Sequence, residues 1–518
     1  MHETFHIDLF VVLLMVTAAV AMVVKWVKLP YSISLVIVGL VIGVFHLLPI
    51  VEMTPELILL VFLPALLFEA SWNIDIRELK ANWLAILVLA VPGVIISMAV
   101  VGYFMHFAIG MPLQVAFLFG AMISATDPIS VLALFRKLGM NKRLTMILEG
   151  ESLFNDGTAV VLFKLVLALL IAQTQFSFAE SAGNFLMTVL GGSFIGCALG
   201  YTASRITAFF DDHLLEITLT TILAYGAYLV AEQLHLSPVI SVVAAGIVMG
   251  NYGSRASMSA TTRLAVNSFW EYAAFLVNSL VFLLIGLQVK FDLLQKYSVS
   301  IGVAIAAILI SRALVVYGLT PIFSKKLAPI PWSWRNLLFW GALRGSLSMA
   351  LALSLPTSIT HREELLITTF GVVLFTLLLP GLTIEPFVKL FKMNPGDPKL
   401  VAYKQLKSVQ MSNNRALDFL NDLKKQGSLS EDAYERLKEE IKQSQLETKQ
   451  TIEELHVADS SIRELEYVET KRILLEVKKD YLILLSREGL LAQESLDELK
   501  LQIDQQIHEL DEKQDGNE

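Results

Sequence analysis

The sequence predicts an all-α polytopic membrane protein with a helical, water-facing tail, and three observations carry that expectation. Of 518 residues, 55% are hydrophobic and only 17% charged, with a mean hydropathy of +0.62, a balance that describes a chain whose solvent is mostly lipid. Charge is unevenly placed: 27 acidic and 18 basic residues lie from Met393 onward, leaving 21 and 22 before it, so a net −9 belongs to the tail and the apolar part is close to neutral. Finally, apolar runs recur along the first 392 residues at lengths that suit a bilayer.

A window of about 19 residues finds runs beginning near residues 7, 31, 55, 82, 112, 144, 184, 214, 237, 264, 300, 334 and 364 and ending near Phe391, thirteen in all. The first has no basic segment before it and no small-residue cleavage pattern after it, and reads as a retained span. The weakest is the ninth, Ser237 to Asn251, without which the C-terminus would change sides. Loop charge tests the count independently. One face collects Lys25, Lys28, Arg77, Lys80, Arg136, Lys137, Lys142, Arg143, Arg205, Arg255, Arg263, Lys325, Lys326, Arg335, Lys389 and Lys392; the other collects Lys290, Lys296 and Arg362. Basic residues favour the cytoplasmic face, so the expectation is an external N-terminus, a transmembrane domain over 1–392 and a cytoplasmic domain over 393–518.

Within the spans, ionisable residues are the informative ones, because a charge at membrane depth costs about 2.5–3.5 kcal/mol even on insertion scales and marks ion or proton paths. Asp127 lies in ISATDPISVLALF on span five and Asp156 in EGESLFNDGTAVVLF on span six. An odd number of spans allows two groups of six to be related by inversion about the seventh, which pairs span five with span twelve. Span five contains Pro128, whose ring frees the carbonyl of Ser124; span twelve contains Gly341 and Gly345 around Arg344. Both are candidate broken helices.

On span six, Glu149, Ser152 and Asp156 follow i, i+3, i+7 spacing and share one stripe, while Glu151 and Asn155 form another. The first stripe is assigned to the ion site. Glu151 is assigned to a structural ion pair with Arg344, since a buried guanidinium needs a carboxylate. Arg312 on span eleven needs a carboxylate or backbone carbonyls and is a candidate for charge compensation. Glu69 on span three has two readings, snorkelling to water or facing the cavity. Lys164 is expected to reach the outer surface and Glu232 to lie on a solvated rim. Cys197 is the only cysteine, so no intramolecular disulfide forms, and His46 and His106 have no partner at zinc spacing.

These residues suggest exchange. A carboxylate taken out of water favours its neutral form, so a proton and a metal cation compete for one charge at Asp156. A bare carboxylate is costly to carry past an apolar gate, and a loaded one is not, so only loaded forms change sides. Sodium favours oxygen ligands, which Asp127, Thr126 and the freed carbonyls supply. A K⁺/H⁺ antiporter is the alternative, because spacing does not set cavity radius. A channel would need a filter-like motif, which is missing, and an intramembrane hydrolase would need HExxH or GxSxG within the spans; GxSxG does not occur, and the HExxH spacing of His2, Glu3 and His6 lies ahead of the first apolar run. No cofactor and no nucleic-acid partner is implied.

The tail has helical spacing of Leu, Ile and Val and reads as a soluble helical module, either regulatory or a passive appendage. Gly427, Leu437 and Ile441 recur 62 positions later as Gly489, Leu499 and Ile503, and Ser428 with Glu431 has capping-box spacing.

TDP on one span, GESLFND on the next and WGALRGS near the end, in that order over residues 5 to 392, resemble the monovalent cation:proton antiporters of the NhaP and sodium/proton exchanger type. AYLVAEQLHLSPVISVVAAGIVMG is similar to a further region of that family. The resemblance implies a homodimer of thirteen-span protomers in a bacterial plasma membrane, each with a six-helix core containing two crossed unwound helices. It implies Asp156 as the principal carboxylate for Na⁺ or Li⁺ and H⁺, Asp127 as the second, Asn155 as structural neighbour, and Thr126, Ser152 and Glu69 at the site. Glu151 with Arg344 becomes the stabilising pair. The Asn-Asp sequence at 155–156 implies electroneutral, one-for-one exchange.

Overall fold

The computed structural model describes residues 7–27, 29–48, 54–138, 140–172, 177–209, 212–254, 258–288, 291–324, 330–391, 398–425, 428–458 and 460–487, with short pieces up to 510. Lys28, Arg255, Lys290, Lys325, Lys326 and Lys392 of the loop-charge count, and Gly427 and Gly489 of the tail repeat, lie outside the described residues. The chain forms two compact units, Met1–Met393 and Asn394–Glu518.

The first unit is all-helical, with turns and unwound segments but no strand among its described residues. In chain order its helices are α1 (Ile7–Val27), α2 (Tyr31–Val44), α3 (Leu63–Asn73, entered through a π-wound turn, Leu57–Phe62), α4 (Ile76–Ala90), α5 (Pro92–Ile109), α6 (Leu113–Ser124), α7 (Ile129–Leu138), α8 (Lys142–Ala172), α9 (Phe178–Thr207) and α10 (His213–Gln233). There follow α11 (Pro238–Val248, extended by a π-wound turn, Met249–Gly253), α12 (Ala260–Leu287), α13 (Phe291–Lys296), α14 (Ser298–Ser324), α15 (Trp332–Trp340), α16 (Ser346–Leu353) and α17 (Arg362–Leu390). Among the described residues, nine stretches are long and apolar enough to cross a membrane, and Tyr31–Val44, Leu57–Asn73 and Pro238–Gly253 are shorter apolar helices. The ninth run of the sequence is thus helical, as Pro238–Gly253.

Local chemistry sets the helix ends. Asp75 accepts from the Arg77 amide at the start of α4, Asp212 from the Leu214 and Leu215 amides at α10, and Ser259 from Thr262 N at α12, each satisfying an otherwise orphaned donor. Gly110 closes α5 at φ 77°, a left-handed geometry that costs glycine nothing.

Packing sorts these helices into two bundles. The first contains α1, α2, α3, α9, α10, α11 and α12; the second contains α4, α5, α6, α8, α14, α15, α16 and α17. Small residues hold the first bundle together. A Cβ at Gly39 of α2 would lie 2.2 Å from the Leu283 carbonyl oxygen of α12, and one at Gly196 of α9 would lie 2.1 Å from that of Ser241 on α11, so those backbones approach as only glycine permits.

The second unit has three long helices, α18 (Pro398–Lys425), α19 (Glu431–Ala458) and α20 (Ser460–Arg487). Tyr403 and Ile452 form one small core, and Val468, Leu475, Ile503 and Leu510 another. The capping expectation needs correction. Helix α19 begins at Glu431, so the residue before it caps: Ser430 Oγ accepts from Ala433 N at 3.4 Å, and Glu431 receives Lys424 Nζ at 2.7 Å instead of closing a box with Ser428.

Candidate functional site

Two helices are interrupted. The chain leaves helical geometry over 125–128, between α6 and α7, and over 341–345, between α15 and α16. The chemistry of each break is local. Pro128 has no amide to continue α6 but suits the first turn of α7, where Asp127 Oδ1 accepts from Ile129 N at 3.1 Å. Gly341 and Gly345 flank the second break. The two unwound segments meet, with Asp127 N donating to the Leu343 carbonyl at 2.9 Å. A Cβ at Gly345 would fall 2.2 Å from Asp127 Oδ2, so the carboxylate lies against bare backbone there.

Helix α8 supports this crossing through its side chains. Ser152 Oγ donates to the Thr126 carbonyl, Asn155 Nδ2 donates to Thr126 Oγ1 at 2.5 Å, and Thr126 N donates to Asn155 Oδ1 at 3.3 Å. Unwound backbone at membrane depth needs such partners, because lipid offers none. Asn155 is therefore a clamp on the broken helix, and Ser152 does double duty, since it also lines the cavity described next.

That cavity has a volume of about 790 Å³ and places Thr126, Asp127, Glu69, Glu149, Ser152 and Asp156 on one wall system. The two stripes of α8 separate as their spacing requires: Glu149, Ser152 and Asp156 face the cavity, while Glu151 and Asn155 are buried at 1% exposure each. Of its two sequence readings, Glu69 takes the cavity-facing one, its carboxylate held by Asn73 Nδ2 at 2.8 Å. Asp156 lies within electrostatic reach of both Asp127 and Arg344, and its carboxylate makes no hydrogen bond among the described residues.

The ion pair of Glu151 differs from expectation. Both carboxylate oxygens go to Arg312, whose Nη1 and Nη2 donate to Oε1 and Oε2, the second at 3.0 Å. Arg312 also gives Nε and Nη2 to the Leu338 carbonyl at 3.0 and 2.7 Å, closing the last turn of α15. A guanidinium fork matches a carboxylate and a helix-end carbonyl together, whereas Arg344 lies in the break itself. Arg344 is 1% exposed; its backbone N donates to Thr376 Oγ1 at 3.1 Å and its Nη1 to the Ala342 carbonyl at 3.2 Å, with Nε unbonded among the described residues. Sequence order offered two arginines for one glutamate, and only proximity separates them.

Sequence reasoning also missed Asn278 and Glu271 on α12 and Ser346 and Ser348 on α16, all of which line the cavity. Ser348 Oγ is fully buried with no hydrogen-bond partner among the described residues. The only signal in the sequence was that Ser348 follows the second break by one turn. Lys164 pairs with Glu232 at 3.5 Å, both half exposed.

Comparison with known proteins agrees with this architecture. The sodium/hydrogen exchanger transmembrane family matches residues 11–390. The chain is 41% identical over 469 residues to the Na⁺/H⁺ antiporter ApNhaP of Aphanothece halophytica, covering 89% of each, and 40% identical over 421 residues to the Na⁺/H⁺ antiporter NhaG of Bacillus atrophaeus, covering 78% of each. Among solved structures, the sodium proton antiporter MjNhaP1 of Methanocaldococcus jannaschii superposes with a TM-score of 0.63 at 20% identity, over 76% of this chain and 99% of that one, which speaks to the fold. The chain belongs to the sodium/hydrogen exchanger family.

Proposed function

We propose that this chain is a secondary transporter that exchanges Na⁺ for H⁺ across a membrane, with both ions competing for Asp156. The observation that carries the reading is a carboxylate within an apolar span that faces a cavity, beside a second carboxylate and two unwound segments, without a hydrogen bond of its own among the described residues. A fixed partner would neutralise that charge permanently. Without one, neutrality comes from a visiting ion. The relatives described above, Na⁺/H⁺ antiporters of Aphanothece and Bacillus, point to the same exchange.

In this mechanism Asp156 binds either a proton or Na⁺. Asp127 and the hydroxyls of Thr126 and Ser152 stand beside it as oxygen ligands, and Asn155 fixes Thr126. Glu69 and Glu149 lie along the same cavity and attract cations toward the site. The Glu151–Arg312 pair holds α8 to α14 and the end of α15, and Arg344 supplies positive charge in the break. An unloaded Asp156 leaves the cavity only at high cost, so one ion crosses for each ion returned, alternately from the two sides and without net charge. Li⁺ shares the preference for oxygen and is a substrate in this reading. The chain makes thirteen crossings with its N-terminus outside and its second unit in the cytoplasm of a bacterial plasma membrane. It works as a homodimer, and its role is pH and sodium homeostasis.

The test is reconstitution. Proteoliposomes holding the full chain are expected to show saturable, voltage-insensitive H⁺ movement driven by Na⁺ and Li⁺ gradients, and Asp156→Ala is expected to abolish it. Full activity in Asp156→Ala vesicles refutes the assignment. K⁺-driven movement equal to that with Na⁺ would move the substrate to the potassium alternative.

A further inference from the structure

A second cavity, of about 610 Å³, lies between α8, α9, α10 and α11, lined by Lys164, Asn184, Glu232, His235 and Pro238 among others. It shares helix α8 with the first cavity and no residue with it. Along α8 the first cavity ends at Asp156 and the second begins at Val160, about 6 Å further on at the helical rise. About one turn of α8 separates the two linings.

At that turn the packing layer is a single knob in a hole. Gly157, next to Asp156, has no side chain, and a Cβ there would lie 2.2 Å from Ile240 Cδ1 and 2.7 Å from Ile240 Cγ1. Ile240 therefore occupies the space that any side chain at 157 would need. The layer is apolar and dry: Ile240 is 5% exposed, Val239 fully buried, and Val160 and Val161 are 4% and 5% exposed.

Its two sides belong to different bodies, since α11 packs in the first bundle and α8 in the second. The Ile240 end of α11 is tied firmly to its own side. Ser237 N donates to the Thr188 carbonyl of α9 at 3.1 Å, Ser237 Oγ accepts from Ile240 N at 3.3 Å, and a Cβ at Gly192 of α9 would meet the Ser237 carbonyl oxygen at 2.6 Å. Ile240 cannot follow α8 if the bundles shift. Beyond the layer, the Lys164–Glu232 pair joins the same two bundles at 3.5 Å, but both side chains are half exposed, so water screens it and parting it costs little.

We infer that the Ile240–Gly157 contact is the closed gate of the ion pathway's second mouth, and that the cavity around Lys164 and Glu232 is the vestibule outside it. The inference deepens the exchange reading and rests on it. The gate stands at the depth of Asp156 itself, so a relative movement that withdraws one isoleucine side chain exposes the carboxylate to the vestibule. A glycine at 157 lets the seal close.

The experiment uses the full chain with its one cysteine removed, Cys197→Ser, and a reporter on the far side of the gate, Leu153→Cys, which lines the first cavity. A membrane-impermeant thiol reagent is applied from the vestibule side of oriented vesicles. Adding Ile240→Ala is expected to raise the labelling rate at least about tenfold, by shifting the population toward the open mouth. In parallel, Gly157→Ala is expected to lower Na⁺-driven H⁺ movement at least about tenfold by wedging the gate, and Ile240→Ala in the same chain to restore it to within about threefold. Unchanged labelling with Ile240→Ala overturns the inference, and so does parental exchange in Gly157→Ala. Failure of the double variant to recover, with both proteins monodisperse in detergent, overturns it as well. If Gly157→Ala does not accumulate, the labelling result decides alone. Absence of Na⁺-driven exchange in the parent chain would sink the exchange reading but leave the labelling comparison intact.

Discussion

Helix α8 carries three carboxylates and treats two of them, Glu151 and Asp156, five residues apart, in opposite ways. Glu151 is 1% exposed and gives both oxygens to the Arg312 fork, which is itself anchored on the Leu338 carbonyl. Asp156 opens onto a cavity and makes no hydrogen bond among the described residues. A neutralised pair at membrane depth is a fastener, whereas a carboxylate with its coordination incomplete is a place for something to bind. Burial does not tell a structural charge from a working one; satisfaction does.

The comparison breaks most easily at Asp156. Asp156→Asn keeps the shape and removes the charge, and Na⁺-driven H⁺ movement in proteoliposomes is expected to fall below about 1% of parent while the melting temperature holds or rises. Arg312→Ala should do the reverse to the protein as a whole. It strands Glu151 in a dry interior at a cost of about 3–5 kcal/mol, read as a large drop in the melting temperature of purified protein. Replacing Glu151 by leucine in the same chain should recover most of that loss.

Arg344 sharpens the contrast, because among the described residues its guanidinium has one backbone acceptor and no carboxylate fork. Arg344→Ala is expected to lower exchange strongly with a smaller drop in melting temperature than Arg312→Ala; equal drops would put the two arginines in the same structural role. Ser152→Ala removes one hydrogen bond to the Thr126 carbonyl and one cavity oxygen. Its apparent KM for Na⁺ should rise about fivefold, the size of a ~1 kcal/mol interaction, with little change in stability.

The smallest effect belongs to the second unit, whose fastener is only partly buried. Partial burial opposes charge on Glu466, yet Lys407, at 2.5 Å, with Tyr403 and His456 holds its carboxyl below the usual carboxylate range. Its contribution is therefore present above the ordinary carboxylate pKa and lost as pH falls through the lowered value. Glu466→Gln should weaken the tail helices by less than about 1 kcal/mol at neutral pH, and the difference from parent in circular-dichroism melts should vanish in acid.

Much of the site was legible in the sequence because its signals are local. Pro128 after Asp127 and glycines around Arg344 weaken helix wherever they occur, and both breaks are present. The i, i+3, i+7 stripe of Glu149, Ser152 and Asp156 is a property of helical geometry, and all three line the cavity. Glu69 was open between water and cavity because its depth depends on how α3 tilts in its bundle. Ser348 gave only its place one turn past a break and Asn278 gave no signal, since a hydroxyl or amide on an apolar helix is unremarkable until a cavity forms beside it.

The sequence by itself determined that the chain lives in lipid, which stretches are helical, where two of them break, and that Asp127 and Asp156 needed a functional explanation. Each of those follows from residues within a few turns of one another, through hydropathy, backbone donors and side-chain period. Only the tertiary structure decided that Glu151 meets Arg312, 161 positions away, and not Arg344, and that Ile240 fills the space beside Gly157. Electrostatic and steric pairing depend on distances of a few ångströms between segments far apart in the chain, and no local pattern encodes those distances.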